Sequence, residues 1–230
     1  MGAAMPLLRA PFSRRADKGN ANSRARNEPL LFIFGYAILY RKARYLSMKT
    51  LETERLLLRQ WQETDAEDVY AYASGRKVGP MAGWKPHETI EETKSLLKIF
   101  AEKDETWALE LKETGKVVGS LGLHKSQKTG VALPYDFELG YVLAEPYWGR
   151  GLVPEAARRA LAFAFEELNA DTLLVSHFSF NFQSKRVIEK LGFEYWGRIE
   201  KSWRRYDGIV LDEVVYLMTK ARYTLLKERR

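Results

Sequence analysis

The chain has 230 residues, of which 46% are hydrophobic and 13% aromatic, so it has enough apolar side chains for a sizeable core. It has no cysteine, which excludes a disulfide scaffold, a thiolate zinc site and a cysteine nucleophile. Its three histidines lie far apart in the sequence and show no metal-ligand spacing, so no metal site is predicted.

The net charge of +7 comes from the first 47 residues alone, which contain nine Lys or Arg and two Asp or Glu. Residues 48–230 contain 28 basic and 28 acidic residues. This later part therefore has no excess charge to attract nucleic acid, and we expect no nucleic-acid partner for it.

Residues 1–47 differ from the rest of the chain. They lack apolar periodicity except for the run PLLFIFGYAILY at 29–40, which is shorter than the roughly 20 residues of a spanning helix. The basic sequence after this run is not a signal cleavage site. We interpret residues 1–47 as a basic leader, either disordered or an extension upstream of a start at Met48. A membrane-surface anchor is the alternative. Residues 48–230 are predicted to be a single cytoplasmic domain with no membrane partner.

The first half of this domain begins with a predicted strand, RLLLRQW at 55–61. Thr64 and Glu67 form a capping-box pattern that predicts a helix to about residue 74. A loop rich in Gly and Pro follows at 79–86, and helical spacing resumes at 88–103.

Strand periodicity dominates the second half. Residues 106–112 and 117–124 predict a hairpin, and further strands are predicted at 135–144, 171–178, 193–205 and 210–220. Two helices are predicted between them, at 154–168 and 181–192. The order β-α-α-β-β-β-α-β-α-β-β indicates a layered α/β fold with a mixed sheet.

The sequence EPYWGRGLVPEA places two glycines directly before a predicted helix. The first N–H groups of a helix have no internal partners, so such a turn can bind a phosphate. Gly149 and Gly151 permit backbone conformations closed to other residues, and Arg150 could add a positive charge. An ordinary strand-to-helix connection is the alternative. A Walker turn is absent, and Pro154 stands where a dinucleotide fingerprint requires its third glycine.

Taken together, GYVLAEPYWGRGLVPEA and NFQSKRVIEKLGFEYWGR resemble the GNAT acetyltransferase superfamily, in particular its RimJ/RimL-type branch of ribosomal-protein N-acetyltransferases and small-molecule relatives. The resemblance covers almost all of 50–220. It implies a mostly antiparallel sheet of about six to seven strands flanked by about four helices. It also implies direct acetyl transfer from acetyl-coenzyme A to a primary amine, on a protein N-terminus or a small molecule, by a monomer or homodimer.

The resemblance also assigns the residues that contact coenzyme A. The family's pyrophosphate motif, Q/R-x-x-G-x-G/A, falls on 148–153, with departures at its first and last positions. Backbone groups of 141–143, on a strand that separates from its neighbour, are expected to pair with pantetheine. Asn181 is expected to contact the pantetheine arm and is also a good N-cap. The predicted cofactor-binding residues are Tyr141, Val142, Leu143, Trp148, Gly149, Arg150, Gly151, Leu152, Val153 and Asn181.

Two residues are candidates for catalysis. Much of the superfamily uses a tyrosine as the acid that protonates the leaving thiolate, but Ile188 stands at that position. The resemblance to the RimJ/RimL-type branch assigns this role to Ser184 instead. The alternative is a serine that bonds its own helix turn. Glu138 is a candidate general base or amine-orienting group by the same resemblance, and a structural ion pair with Arg198 or Arg204 is the alternative.

The acceptor pocket is less well defined. Trp84 and Tyr135 are weak candidates for acceptor contacts, and His87 and Trp203 are considered with them. Simple packing is the alternative interpretation for all four. Two other functions stay open: a non-catalytic acyl-coenzyme A-binding module, and a nucleic-acid or membrane-surface protein that uses the leader.

Overall fold

The computed structural model describes residues 48–125, 128, 131 and 135–229, so the predicted leader lies outside the described residues. Within them, eight strands form one sheet in the order β1-β2-β3-β4-β5-β6-β8-β7. The strands are β1 (Leu51–Glu52), β2 (Leu56–Arg59), β3 (Thr106–Leu111), β4 (Lys116–His124), β5 (Phe137–Leu143), β6 (Thr172–Phe178), β7 (Glu194–Arg204) and β8 (Val210–Thr219).

Six α-helices accompany the sheet in the described residues: α1 (Ala66–Ala73), α2 (Val78–Ala82), α3 (Ile90–Lys103), α4 (Leu152–Ala162), α5 (Phe182–Leu191) and α6 (Lys220–Glu228). Helix α4 continues into a π-helical turn, Phe163–Glu167, and 3-10 turns precede α1 and α4. All neighbouring strands are antiparallel except β5 and β6. The predicted mixed, mostly antiparallel sheet is therefore confirmed.

Three elements depart from the predicted count. Strand β1 has two residues, too few to show an alternating pattern, and it raises the number of strands to eight. Helix α2 lies inside the predicted loop. Its five residues include Gly79 and Pro80, which in a sequence indicate a loop instead of a helix. Helix α6 follows β8 directly and has no fully buried residue, although Tyr223 and Leu226 pack against the core.

The predicted capping box of Thr64 and Glu67 is wrong. Asp65 takes this role, because its carboxylate accepts the backbone N–H of Gln62 at 2.8 Å. Arg59 fixes the same carboxylate through two hydrogen bonds of 2.7 and 2.8 Å. This ion pair holds Asp65 at the entrance of α1.

Alternating side chains of the sheet build cores on both faces. On one face, the strands pack against α4 and α5 in the main core, where Ala156, Ala157 and Ala160 of α4 are fully buried. On the other face, α1 and α3 cover β3 and β4. A smaller cluster of Tyr135, Leu174 and Val215 continues this second face across β6 and β8.

The parallel strands β5 and β6 pair over only three residues each. The register runs from Phe137 opposite Leu173 to Leu139 opposite Val175. Strand β5 continues along β4 as far as Leu143, and β6 continues along β8 as far as Phe178. The two strands therefore separate beyond Leu139 and leave part of the β5 edge without a strand partner.

Candidate active site

The open edge of β5 offers backbone groups to the gap between β5 and β6. Ala144 donates its N–H to Val118 of β4 at 2.8 Å. Because alternate residues of a strand point to opposite edges, the backbone groups of Val142 also face β4. Those of Tyr141 and Leu143 face the gap. The indole of Trp148 donates to the Leu143 carbonyl at 2.7 Å. The Leu143 N–H and the backbone N–H and C=O of Tyr141 are the groups that can still pair with a ligand in the gap.

The glycine turn adjoins the end of this edge. Gly149 and Gly151 adopt φ of 76° and 78°, the left-handed region that favours glycine. Among the described residues, no acceptor is recorded for the N–H groups of five consecutive residues, which run from Gly149 to Val153. A run of unpaired N–H groups at a helix start forms a concave site for an anion.

The structure explains Trp148, the departure at the first position of the family motif, and Pro154, the residue directly after its last position. Trp148 uses both of its donors inside the protein, since its backbone N–H bonds Glu145 and its indole bonds Leu143. It ties the turn to β5 and offers no N–H to an anion. Pro154 lies in the first turn of α4, where the first helical bond runs from Glu155 to Gly151 at 3.2 Å. Its missing N–H is therefore one that the helix would not have paired.

Arg55 supports the glycine turn, although no sequence pattern had pointed to it. Its Nη1 donates to the carbonyl of Arg150 at 2.9 Å, and its Nε donates to Glu155 at 2.7 Å. Burial alone would raise the pKa of Glu155, but hydrogen bonds from Thr53 and Arg55 lower it below its usual value. The arginine therefore joins the start of β2 to both the turn and α4.

Asn181 and Ser184 begin α5 beside the same gap. The Asn181 Oδ1 caps the helix by accepting the Ser184 N–H at 3.0 Å. Its Nδ2 donates to the carbonyl of Met81, also at 3.0 Å. Asn181 thus links α5 to the α2 segment, and its second N–H and remaining lone pairs could still meet a ligand.

Ser184 is hydrogen-bonded to β5 across the gap. The Tyr141 hydroxyl lies 2.7 Å from the Ser184 Oγ and 3.2 Å from the Ser184 carbonyl oxygen. Burial raises the pKa of Tyr141, with the Ser184 hydrogen bond as an opposing effect. The phenol therefore stays protonated and acts as a neutral hydrogen-bonding group.

Glu138 belongs to an ion cluster on the opposite face of the sheet. The Lys128 Nζ lies 3.0 Å from Glu138 and 2.7 Å from Glu213, and the Ser176 hydroxyl approaches both carboxylates. Burial alone would lower the pKa of Lys128, but the two carboxylates raise it above its usual value. The ammonium is therefore fully charged at neutral pH.

This ion pair corrects the predicted partners of Glu138. Arg198 pairs instead with Asp212, and Arg204 donates to the carbonyl of Gly208. Glu138 and Tyr141 lie on opposite faces of β5, because they are three positions apart in an alternating strand. Ser184 contacts Tyr141 and so lies on the face opposite to Glu138. The two candidate catalytic side chains, Ser184 and Glu138, therefore flank the separation of β5 and β6 from opposite faces.

The weak acceptor candidates lie in packed surroundings. Tyr135 is 5% exposed, and its hydroxyl accepts the Lys128 backbone N–H. Trp84 packs on the second face of the sheet, and its ring centroid lies 5.4 Å from that of His87. Trp203 donates to the Gly83 carbonyl at 3.1 Å. Trp84 and His87 are direct neighbours and Trp203 reaches the residue before Trp84, whereas Tyr135 belongs to the smaller cluster of the second face. The bond from Trp203 holds the β7–β8 hairpin against the segment after α2.

Two further properties concern the part of the chain that the structure describes. There, no group of three or more His, Cys, Asp or Glu side chains is arranged to hold a metal ion. No helix in the same ranges is both long enough and apolar enough to cross a membrane.

Comparison with known proteins identifies the family. The family model of the acetyltransferase (GNAT) domain matches residues 55–194. The N-acetyltransferase YoaA of Bacillus subtilis (strain 168) is 29% identical over 178 residues, which cover 75% of this chain and 97% of YoaA. The chain therefore belongs to the GNAT acetyltransferase family and is an acyltransferase.

Solved structures support the same fold. An acetyltransferase of the GNAT family from Bacillus anthracis superposes with a TM-score of 0.67 at 24% identity, covering 75% of this chain and 99% of that one. The ribosomal-protein-S5-alanine acetyltransferase from Vibrio fischeri gives a TM-score of 0.59 at 19% identity, covering 76% and 98%. The predicted likeness to ribosomal-protein acetyltransferases is thus supported at the level of the fold.

Proposed function

We propose that this enzyme takes its acetyl group from acetyl-coenzyme A, bound along the glycine turn and the open edge of β5. One observation carries the proposal: within the described residues, five unpaired N–H groups, from Gly149 to Val153, adjoin an unpaired strand edge. The pyrophosphate of coenzyme A suits the first feature because it is an anion. The amides of its pantetheine arm suit the second because they can pair like a strand.

The residues of the predicted motif divide into two groups in this proposal. Gly149, Arg150, Gly151, Leu152 and Val153 offer backbone N–H groups to the pyrophosphate. Trp148 and Arg55 hold the turn in shape. Along the open edge, Tyr141 and Leu143 offer backbone groups to pantetheine, and Asn181 adds side-chain polar atoms. Val142 contributes only its side chain, because its backbone faces β4.

Ser184 and Glu138 carry the proposed chemistry. The amine attacks the thioester carbonyl directly, and the thiol leaves as the carbon–sulfur bond breaks. Ser184, on the face of the sheet that α5 covers, supplies a hydroxyl that donates its proton to the leaving thiolate. As the carbon–nitrogen bond forms, Glu138 accepts the proton of the amine through a water molecule, or orients the amine, from the other face of the sheet. This arrangement requires no covalent enzyme intermediate.

The proposed acceptor is a primary amine on a protein N-terminus or a small molecule. A terminal amine has a pKa of about 7.7–8.0 and lysine about 10.4, so a terminal amine needs less help to become neutral. The Vibrio fischeri neighbour carries a name that specifies a ribosomal-protein alanine. That name supports testing peptide N-termini first, beside aminoglycosides, polyamines and amino-acid analogues.

A thiol-release screen tests the proposal. The protein is incubated with acetyl-coenzyme A and a panel of peptides and small amines, and free thiol is followed over time. We expect release that depends on at least one amine. Binding of acetyl-coenzyme A without amine-dependent release across the panel would favour the alternative, a non-catalytic acyl-coenzyme A-binding module.

A further inference from the structure

The side chain of Tyr141 has no role in the function proposed above, yet it connects β5 to α5. Its neighbours on the same face, Leu139 and Leu143, are buried in the main core, and the ring packs against that core. Its hydroxyl ends at Ser184. The ring therefore fixes the hydroxyl in place beside the candidate donor.

The hydroxyl of Tyr141 has one proton and two possible acceptors, the Oγ and the carbonyl oxygen of Ser184. If Tyr141 donates to the carbonyl, Ser184 donates to the phenol oxygen and its proton points away from a ligand. If Tyr141 donates to the Oγ, the serine proton is free to point into the gap. The two arrangements differ only by rotation of two hydroxyl groups, so no covalent bond is broken between them.

We propose that Tyr141 is the positioning residue of Ser184: by donating to the Oγ, it turns the serine proton toward the leaving thiolate. The inference rests on the proposed function of Ser184. The raised pKa of Tyr141 supports it, because a phenol that stays protonated remains available as a donor. A serine without this neighbour would instead tend to bond a backbone carbonyl three or four residues earlier in the chain.

A double-variant comparison tests the inference. Tyr141→Phe keeps the ring in the core and removes only the hydroxyl. With the best amine from the screen, we expect kcat to fall about tenfold, the effect of one lost hydrogen bond in the transition state. The KM for acetyl-coenzyme A should change less than about twofold. In a Ser184→Ala background, the same change should alter kcat by less than about twofold, because the group that Tyr141 orients is gone.

The matched control is Tyr216→Phe, a buried tyrosine on β8 whose hydroxyl faces His177 instead of Ser184. We expect its kcat to stay within about twofold of the unaltered protein. Three results would overturn the inference: an unchanged kcat in Tyr141→Phe, a change in KM alone, or an equal fall in kcat with and without Ser184. Absence of turnover in the unaltered protein would instead overturn the proposed function, and the inference with it.

Discussion

Ser184 lies in the first turn of α5, and its hydroxyl contacts that of Tyr141. If it donates to the leaving thiolate, Ser184→Ala should lower kcat by about 100-fold, the lower range for a positioned proton donor. The KM for acetyl-coenzyme A should stay within about threefold. Steady-state thiol release measures both constants.

Ser95→Ala is the matched control for this variant. Ser95 lies in α3, and its hydroxyl bonds a carbonyl of its own helix at 2.8 Å. We expect its turnover to be unchanged. Equal turnover in the Ser184 and Ser95 variants would remove Ser184 from the proposed chemistry.

Glu138 and Glu213 both pair with Lys128, so Glu213 provides a matched control for the role of Glu138. Each carboxylate pairs with Lys128, and each side chain is less than a fifth exposed, at 19% and 13%. Glu138→Gln and Glu213→Gln should therefore each lower the free energy of unfolding by about 1 kcal/mol. Glu138 lies on β5, within the segment that pairs with β6, whereas Glu213 lies on β8. The Glu138 variant alone should therefore lower kcat/KM for the amine, by at least about tenfold.

Urea unfolding and amine-dependent thiol release measure the two effects. A loss of kcat/KM that is the same in both variants would make Glu138 a structural ion pair, the alternative considered from the sequence. Lys128 itself could not be predicted as the partner. It lies in the connection between β4 and β5, and no local pattern joins it to Glu138.

At the scale of elements, the glycine turn depends on two positive φ angles. A Cβ on Gly149 would meet no heavy atom within 4 Å, so Gly149→Ala introduces strain of about 1–2 kcal/mol without a clash. Strain here shifts the N–H groups proposed to bind the pyrophosphate. We expect the affinity for acetyl-coenzyme A, measured by calorimetry, to fall about tenfold.

Gly115→Ala is a close control for this variant. Gly115 lies in the β3–β4 hairpin with φ of 68°, and a Cβ at this position would likewise meet no heavy atom within 4 Å. We expect a similar loss of stability in this variant and unchanged affinity for acetyl-coenzyme A. Equal affinities in the two variants would argue against a pyrophosphate at the glycine turn.

The sequence predicted the longer elements well, because α3 and most strands have clear periods of 3.6 or 2 residues. It could also predict that Gly149 and Gly151 form a turn directly before a helix, because they lie in one contiguous motif. The roles of this turn and of Ser184 stay predictions. The sequence could not predict α2, which contains Gly79 and Pro80, or α6, which has no fully buried residue. Nor could it predict the contact of Tyr141 with Ser184, which joins residues 43 positions apart through the fold.

At the scale of the whole molecule, the half-buried His87 and the buried His177 make stability depend on pH. Burial lowers the pKa of His87 and of His177 below the usual 6.5. As the pH falls below about 6.5, the unfolded chain binds protons before the folded one does, so the free energy of unfolding decreases. We expect urea unfolding to show this decrease between about pH 6.5 and pH 5.

His177→Gln should make the decrease smaller, because one of the two groups no longer titrates.

The carboxyl of Glu105, whose pKa is lowered mainly by its hydrogen bond to His124, adds a second loss of stability at more acidic pH. A free energy of unfolding that stays constant between about pH 7 and pH 5 would contradict this assignment.

The central claim, that the chain moves an acetyl group from acetyl-coenzyme A to a primary amine, is tested most directly by following both products in one reaction. The unaltered protein is mixed with acetyl-coenzyme A and the best amine of the screen. Free thiol is measured by absorbance, and the acceptor by mass spectrometry. We predict one acetylated amine for each thiol released. Thiol release without an acetylated amine would contradict the account.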